Sequence, residues 1–166
     1  MEKKLISQAK KNLRDYKIIE SFIAGIVLTG NEIKSLRNYQ SSINEAYVFP
    51  QQQELYIINM HVAAYKYSHA VNLAQNHDTR RRRKLLLKKK EINKIIGQAK
   101  AKNYVIIPLK FFFNDRGWAK LEIALAQHLK KYQIREKIKE KELKRKLKSE
   151  TLFSVNVLSS LIYTIA

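Results

Sequence analysis

Tyr16, Ile18, Phe22, Ala24, Ile26 and Leu28 share one parity along the chain, the two-residue period of a strand with one buried face. Tyr56, Ile58, Met60 and Val62 repeat the pattern. A third run, Tyr104 to Phe113, is rich in β-branched and aromatic residues and stops at Asn114-Asp115-Arg116-Gly117, which is good turn chemistry. Beyond the turn Leu121, Ile123 and Leu125 alternate with Lys120, Glu122 and Ala124, so the two runs predict a hairpin. Pro108 has no N–H to give a ladder and predicts an edge or a bulge at that point. Two helices interrupt the strands. One begins at Thr29-Gly30-Asn31-Glu32, a capping-box sequence, and continues through Ile33, Leu36 and Arg37. The other spans about Lys84 to Lys102, with Leu85, Ile92, Ile95, Ile96 and Ala99 on one face and lysines largely on the other. Short antiparallel strands with helices between them predict a mainly β fold, a small closed antiparallel barrel with flanking helices. Closure removes the exposed edges that invite aggregation.

Composition divides the chain further. Residues 1–14 are polar and basic and read as a loosely held arm, 15–129 as the barrel domain, and 130–150 as a basic tail. Residues 151–166 carry no charged side chain and form an apolar extension. The tail holds ten Lys/Arg against four Glu, with opposite charges four apart at Glu140 and Lys144 and at Glu142 and Lys146. Such pairs contribute only about 0.2–0.5 kcal/mol each, so the tail is expected to be disordered, or helical once a partner neutralises it. The extension could pack on the domain, self-associate or reflect a late frame change.

The net charge is +19 over 166 residues, and eight Lys/Arg cluster between His77 and Lys90 around Leu85-Leu86-Leu87. Crowded cations repel one another, so this concentration points to a polyanion. Because cations occur in several regions and not only on one amphipathic helix, the expected polyanion is nucleic acid and not a membrane surface. The absence of cysteine removes disulfides, thiolate zinc sites and cysteine nucleophiles. The histidines show no ligand spacing, the acids form no catalytic pattern, and the four glycines make no phosphate-cradling loop, so neither a metal, a cofactor nor an enzymatic activity is expected. The N-terminus lacks the apolar core of a secretory signal, and no run approaches the about 18 apolar residues of a membrane span. A cytoplasmic protein with no membrane partner is expected.

The arginines and lysines after Asp78 suit phosphates and base stacking, with Leu85 to Leu87 anchoring them to the barrel. Lys34 and Arg37, three apart, share a helical face. Glu32 could accept from a base or orient an arginine, and equally it is the N3 partner of the capping box. His61, close before Tyr65 and Tyr67, suits either base stacking or a hydrogen-bonded place at the barrel rim.

Gly25-Ile26-Val27-Leu28-Thr29-Gly30-Asn31-Glu32-Ile33-Lys34-Ser35-Leu36-Arg37 closely resembles the G-I-x-L-x-G-x-E-V-K-S-L-R signature of the SsrA-binding protein family, which accompanies transfer-messenger RNA in bacteria. Asn59-Met60-His61 stands where that family has N-M-H-I-x-P-Y. His77-Asp78, with Arg81, Arg83, Lys84 and the triple leucine, looks like H-D-P-x-R-x-R-K-L-L-L. Order and spacing agree from about Tyr16 to Arg135. Thr79 and Ala64 replace prolines. The family's A-K-G-K-K-x-[YH]-D-K-R reads here Ala126-Gln127-His128-Leu129-Lys130-Lys131-Tyr132-Gln133-Ile134-Arg135.

The resemblance implies an OB-like closed β-barrel whose RNA-facing residues are Glu32, Lys34, Arg37, His61, Arg81, Arg83, Lys84 and Lys88, continued in Lys130, Tyr132 and Arg135. It implies binding to transfer-messenger RNA, promotion of its alanylation, and delivery to stalled ribosomes. The partners implied are that RNA, the small-subunit decoding region of the ribosome, and elongation factor Tu and alanyl-tRNA synthetase through the RNA. The changed stretch Gln127 to Ile134 leaves open a general RNA-binding or ribosome-associated barrel that has lost the tail function.

Overall fold

The structure, a computed structural model, describes residues 4–65, 78–140, 142, 143, 145 and 147. Tyr67, His77, Lys144, Lys146 and the apolar extension 151–166, all named above, lie outside the described residues. The chain divides after His128 into two units.

The first unit is mainly β. Its strands are β1 (Lys4–Gln8), β2 (Tyr16–Ile26), β3 (Ser41–Ser42), β4 (Tyr47–Gln51), β5 (Glu54–Ile58), β6 (His61–Val62), β7 (Arg83–Leu86), β8 (Val105–Phe113) and β9 (Ala119–His128). Its helices are α1 (Lys10–Asp15), α2 (Gly30–Arg37) and α3 (Lys89–Lys102). Seven strands join in the order β1-β8-β4-β5-β7-β2-β9, all antiparallel, and β8 also pairs with β9. β3 and β6 make a separate short ribbon, Ser41 against Val62 and Ser42 against His61.

The predicted hairpin is β8–β9, closed by the Asn114–Gly117 turn, where Asn114 Oδ1 accepts from the Trp118 N–H at 2.8 Å and Gly117 has φ +75°. Leu121, Ile123 and Leu125 point into the main core with Phe111, Leu55, Ile57, Leu85 and Ile95. Pro108 sits where the ladder shifts register between Pro108 and Lys110, the bulge its missing donor calls for. In β2 the expected parity holds at Phe22, Ala24 and Ile26, and just beyond it at Leu28, but Ile18 and Ile19 are both exposed because a bulge between Ile18 and Glu20 shifts the phase.

Three expectations are corrected. Residues of the supposed loose arm are structured: β1 lines up along β8, with Lys4 opposite Phe113, and α1 follows. The reason is burial, because Asn12 Nδ2 donates to the Pro108 carbonyl at 2.9 Å while Leu13 and Tyr16 cover Ile107, Leu109, Ala124 and Ala126 on the outer face of the hairpin. In the Tyr56-to-Val62 segment it is Leu55 and Ile57 that face the core. Asn59, in the left-handed region at φ +59°, then reverses the phase so that Met60 and Val62 are buried too. The second helix starts at Lys89, not Lys84. Arg83 to Leu86 form a strand pairing β5 (Leu55 with Leu85) on one side and β2 (Gly25 with Leu86) on the other. Gly25 keeps this approach open, since a Cβ on it would lie a tight 3.2 Å from the Leu86 Cβ.

In the second unit residues 131–140 are helical. The Lys130 N–H donates to Gln133 Oε1 at 3.0 Å and the Ile134 N–H to the Lys130 carbonyl, so Gln133 closes the start of this helix.

Candidate nucleic-acid interface

Thr29 caps α2 as its sequence predicts: Thr29 Oγ1 accepts from the Glu32 N–H at 3.4 Å, and the Thr29 N–H donates to Glu32 Oε2 at 2.7 Å. That reciprocal pair fixes the Glu32 side chain at the end of the helix facing β7. There two arginines meet it. Arg83 donates from Nε to Glu32 Oε1 at 2.8 Å, and its second terminal nitrogen lies 2.7 Å from the same oxygen. Arg81 grips the carboxylate with both prongs, Nε to Oε1 at 2.9 Å and Nη2 to Oε2 at 2.6 Å.

Arg83 has no exposed surface. Its remaining donors go to main-chain carbonyls of Met60 at 2.8 Å, Arg81 at 3.0 Å and Thr79 at 3.3 Å. One guanidinium therefore ties α2, the β5–β6 turn and the 79–82 turn together. The turn is shaped locally by Asp78, whose side chain accepts from the Arg80 N–H at 2.9 Å, and by the Val62 N–H donating to the Thr79 carbonyl. This Asx geometry does the turning at Thr79, where the resembling family has proline.

Electrostatics follow from the burial. Desolvation alone would raise the Glu32 carboxyl, but the hydrogen bonds from Arg81 and the Thr29 N–H, with the charge of Arg83, outweigh it and hold the group at about 2. Burial pulls the Arg83 guanidinium down while Glu32 opposes it. The carboxylate stays charged, and so does its partner.

Glu32 and Arg83 were both expected on the RNA-facing surface, and that is corrected here: both are fully buried. Arg81 is different, with a third of its side chain exposed beside the buried pair. Lys34 and Arg37 are exposed on α2, and the Lys34 ammonium sits 5.3 Å from the centre of the Tyr65 ring. His61 is half-buried in a cleft of about 350 Å³ lined by Ser42, Asn44, Glu45, Asn59 and Arg80. The structure thus gathers Glu32, Arg81 and Arg83 around one end of α2, with Lys34 and Arg37 on the same helix and His61 on the adjoining β3–β6 ribbon.

Lys84 does not join them. Strand alternation turns it to the opposite face of β7 from Arg83, where it pairs with Glu54, whose other oxygen accepts from the Tyr56 hydroxyl at 2.8 Å. Lys88 is exposed at the N-terminal end of α3, where its N–H donates to Glu91. Lys130, Tyr132 and Arg135 are exposed at the start of the helix in the second unit. Sequence reasoning passed over Lys4 and Tyr39, whose ammonium and ring centre are 5.2 Å apart. Among the described residues no three acids, histidines or cysteines are grouped to hold a metal, and no helix is long and apolar enough to cross a membrane.

Comparison with known proteins agrees with this arrangement. The family model described as SmpB protein matches residues 6–152. The SsrA-binding protein of Pseudothermotoga lettingae is 44% identical over 144 residues, covering 87% of this chain and 95% of its own. That of Rickettsia bellii strain OSU 85-389 is 46% identical over 143 residues, covering 86% and 92%. A solved chain described under "tmRNA-SmpB: a journey to the center of the bacterial ribosome" superposes with a TM-score of 0.57 at 35% identity, covering 78% of this chain and 85% of that one. With a family model matched over most of its length and relatives 44% and 46% identical across most of both chains, the chain belongs to the SmpB protein family.

Proposed function

We propose that this protein binds transfer-messenger RNA and brings it to stalled ribosomes, so that incomplete peptides are tagged in trans-translation. The observation that carries the reading is the buried Arg83–Glu32 pair, which holds the partly exposed Arg81 at the end of the helix that bears Lys34 and Arg37. A cation fixed by a buried carboxylate loses little entropy when it meets a phosphate. The family membership and the relatives named for SsrA binding support the choice of RNA. In this reading Arg81, Lys34, Arg37 and His61 face the RNA, and Glu32 and Arg83 position them. Lys84 and Lys88 meet neighbouring phosphates, Lys130, Tyr132 and Arg135 add further contacts to the same RNA, and the tail beyond them acts at the decoding region of the ribosome. The fold reads as an OB-like closed barrel, supported by the β8–β9 pairing, which brings the last strand of the order back onto the second and leaves β1 outside the ring. The protein acts in the cytoplasm as a non-enzymatic RNA-binding factor without a cofactor, and elongation factor Tu and alanyl-tRNA synthetase meet it through the RNA.

A gel shift against transfer-messenger RNA and an unrelated hairpin at matched salt tests this. Clear preference for the former is expected, and equal affinities would sink it. The substituted stretch from Gln127 to Ile134 favours one rival, a general RNA-binding barrel that lacks tail function. Binding without peptide tagging in a rescue assay on messages lacking a stop codon would favour that rival.

A further inference from the structure

Tyr39 occupies a backbone conformation that a bulky residue seldom adopts. Its φ is +57°, at the position just beyond the Asn38 C-cap of α2. The Tyr39 N–H donates to the Leu36 carbonyl at 3.0 Å and the Gln40 N–H to the Ser35 carbonyl at 3.1 Å. These two bonds make the helix-ending motif in which glycine ordinarily takes Tyr39's place, because a Cβ there crowds the neighbouring carbonyl. Burial does not compensate for this strain, since the residue is 49% exposed. A ring with half its surface in solvent on a strained backbone is the kind of outlier that points to function.

The surroundings say what the ring meets. Lys4 Nζ lies 5.2 Å from its centre, Arg37 is two residues back, and the Ala63 N–H donates to the Gln40 carbonyl. That last bond draws the chain after Tyr39 alongside the segment leading to Tyr65, whose ring carries the Lys34 ammonium at 5.3 Å. Two tyrosines, each with a lysine at its face, therefore lie along one end of α2. Cations interleaved with exposed rings suit an unpaired nucleotide: the phosphate takes the ammonium, and the ring face it leaves takes the base.

We propose that Tyr39 stacks on an unpaired base of the bound RNA, with Lys4 moving from the ring to the adjoining phosphate. The proposal rests on the RNA-binding reading above and adds to it a residue and a class of ligand, a single-stranded or flipped-out nucleotide at the edge of a structured RNA. Phosphate contacts alone would not require a ring held in this conformation.

The test uses opposite signs. Tyr39→Gly relieves the backbone and removes the ring, so the melting temperature is expected to rise by about 3 °C. Its affinity for the tRNA-like fragment of transfer-messenger RNA, by gel shift at fixed salt, is expected to fall about tenfold. Tyr39→Phe keeps the ring and is expected to bind as the full-length protein does, while Tyr39→Leu keeps apolar bulk and is expected to bind as weakly as Tyr39→Gly. Wild-type affinity in Tyr39→Gly or Tyr39→Leu overturns the proposal. Equal binding of the wild type to the fragment and to an unrelated hairpin would remove only the transfer-messenger reading, because the Tyr39 comparison can be made on either RNA. Wild-type protein that binds neither RNA removes both.

Discussion

Glu32 receives the Thr29 N–H and two guanidinium groups on one carboxylate with no exposed surface. Removing one partner from such a buried set leaves a desolvated charge behind, which costs about 3–5 kcal/mol. Glu32→Gln is therefore expected to lose stability on that scale in urea unfolding at neutral pH, with Arg83 left facing a neutral amide. The pH dependence has a definite sign. The folded carboxyl is held at about 2 against an ordinary 4.5, so its contribution is complete above 4.5 and drains away as pH falls towards 2. The stability gap between wild type and Glu32→Gln should thus narrow across that window. A gap of constant size from pH 6 to pH 2.5 would show that Glu32 does not carry the effect. The capping-box role of Glu32 was legible in the sequence because both halves of that motif are local. Its ion pairs were not, since Arg81 and Arg83 lie 49 and 51 residues away and a run of arginines gives no sign of which one turns inward.

β7 shows why that inward turn escapes a linear reading. In Arg83-Lys84-Leu85-Leu86 the alternation that marks a strand is masked, because the inward pair is Arg83 and Leu85 while the outward pair is Lys84 and Leu86. A cation and a leucine on each face look helical when followed by the lysine-rich start of α3. The chain nevertheless makes a strand here because β5 and β2 each offer an open ladder, and tertiary pairing overrides local preference. By contrast, the β8–β9 hairpin was readable, since both strands alternate plainly and the turn between them is strongly marked. The bulges at Ile18–Glu20 and the phase reversal at Asn59 were not, as neither residue type demands them. Because β7 turns Leu85 into the core, Leu85→Ala should cost about 2–5 kcal/mol of unfolding free energy, as for a fully enclosed leucine. Leu86→Ala, half-exposed on the other face, should cost less than about 1 kcal/mol. Equal losses in denaturant titrations would mean that the strand's facing is wrong.

For the chain as a whole, positive charge is spread over both units, so removing most of the second unit leaves a strongly cationic remainder. A protein ending after Arg135 loses seven Lys/Arg and four Glu and keeps +16 of its +19. It also keeps α2, the Arg81–Glu32–Arg83 set and the exposed start of the second unit at Lys130 and Tyr132. Binding to free transfer-messenger RNA should therefore persist, with a salt slope close to that of the full chain, because each phosphate contact contributes about 0.9 to the slope of log K against log salt. Peptide tagging on stalled ribosomes, where the rest of the basic tail is proposed to act, should be abolished. The two readouts separate the units cleanly. A large drop in slope would place tail lysines on the free RNA, and tagging that survives would confine the work to the first unit and to the first residues after it.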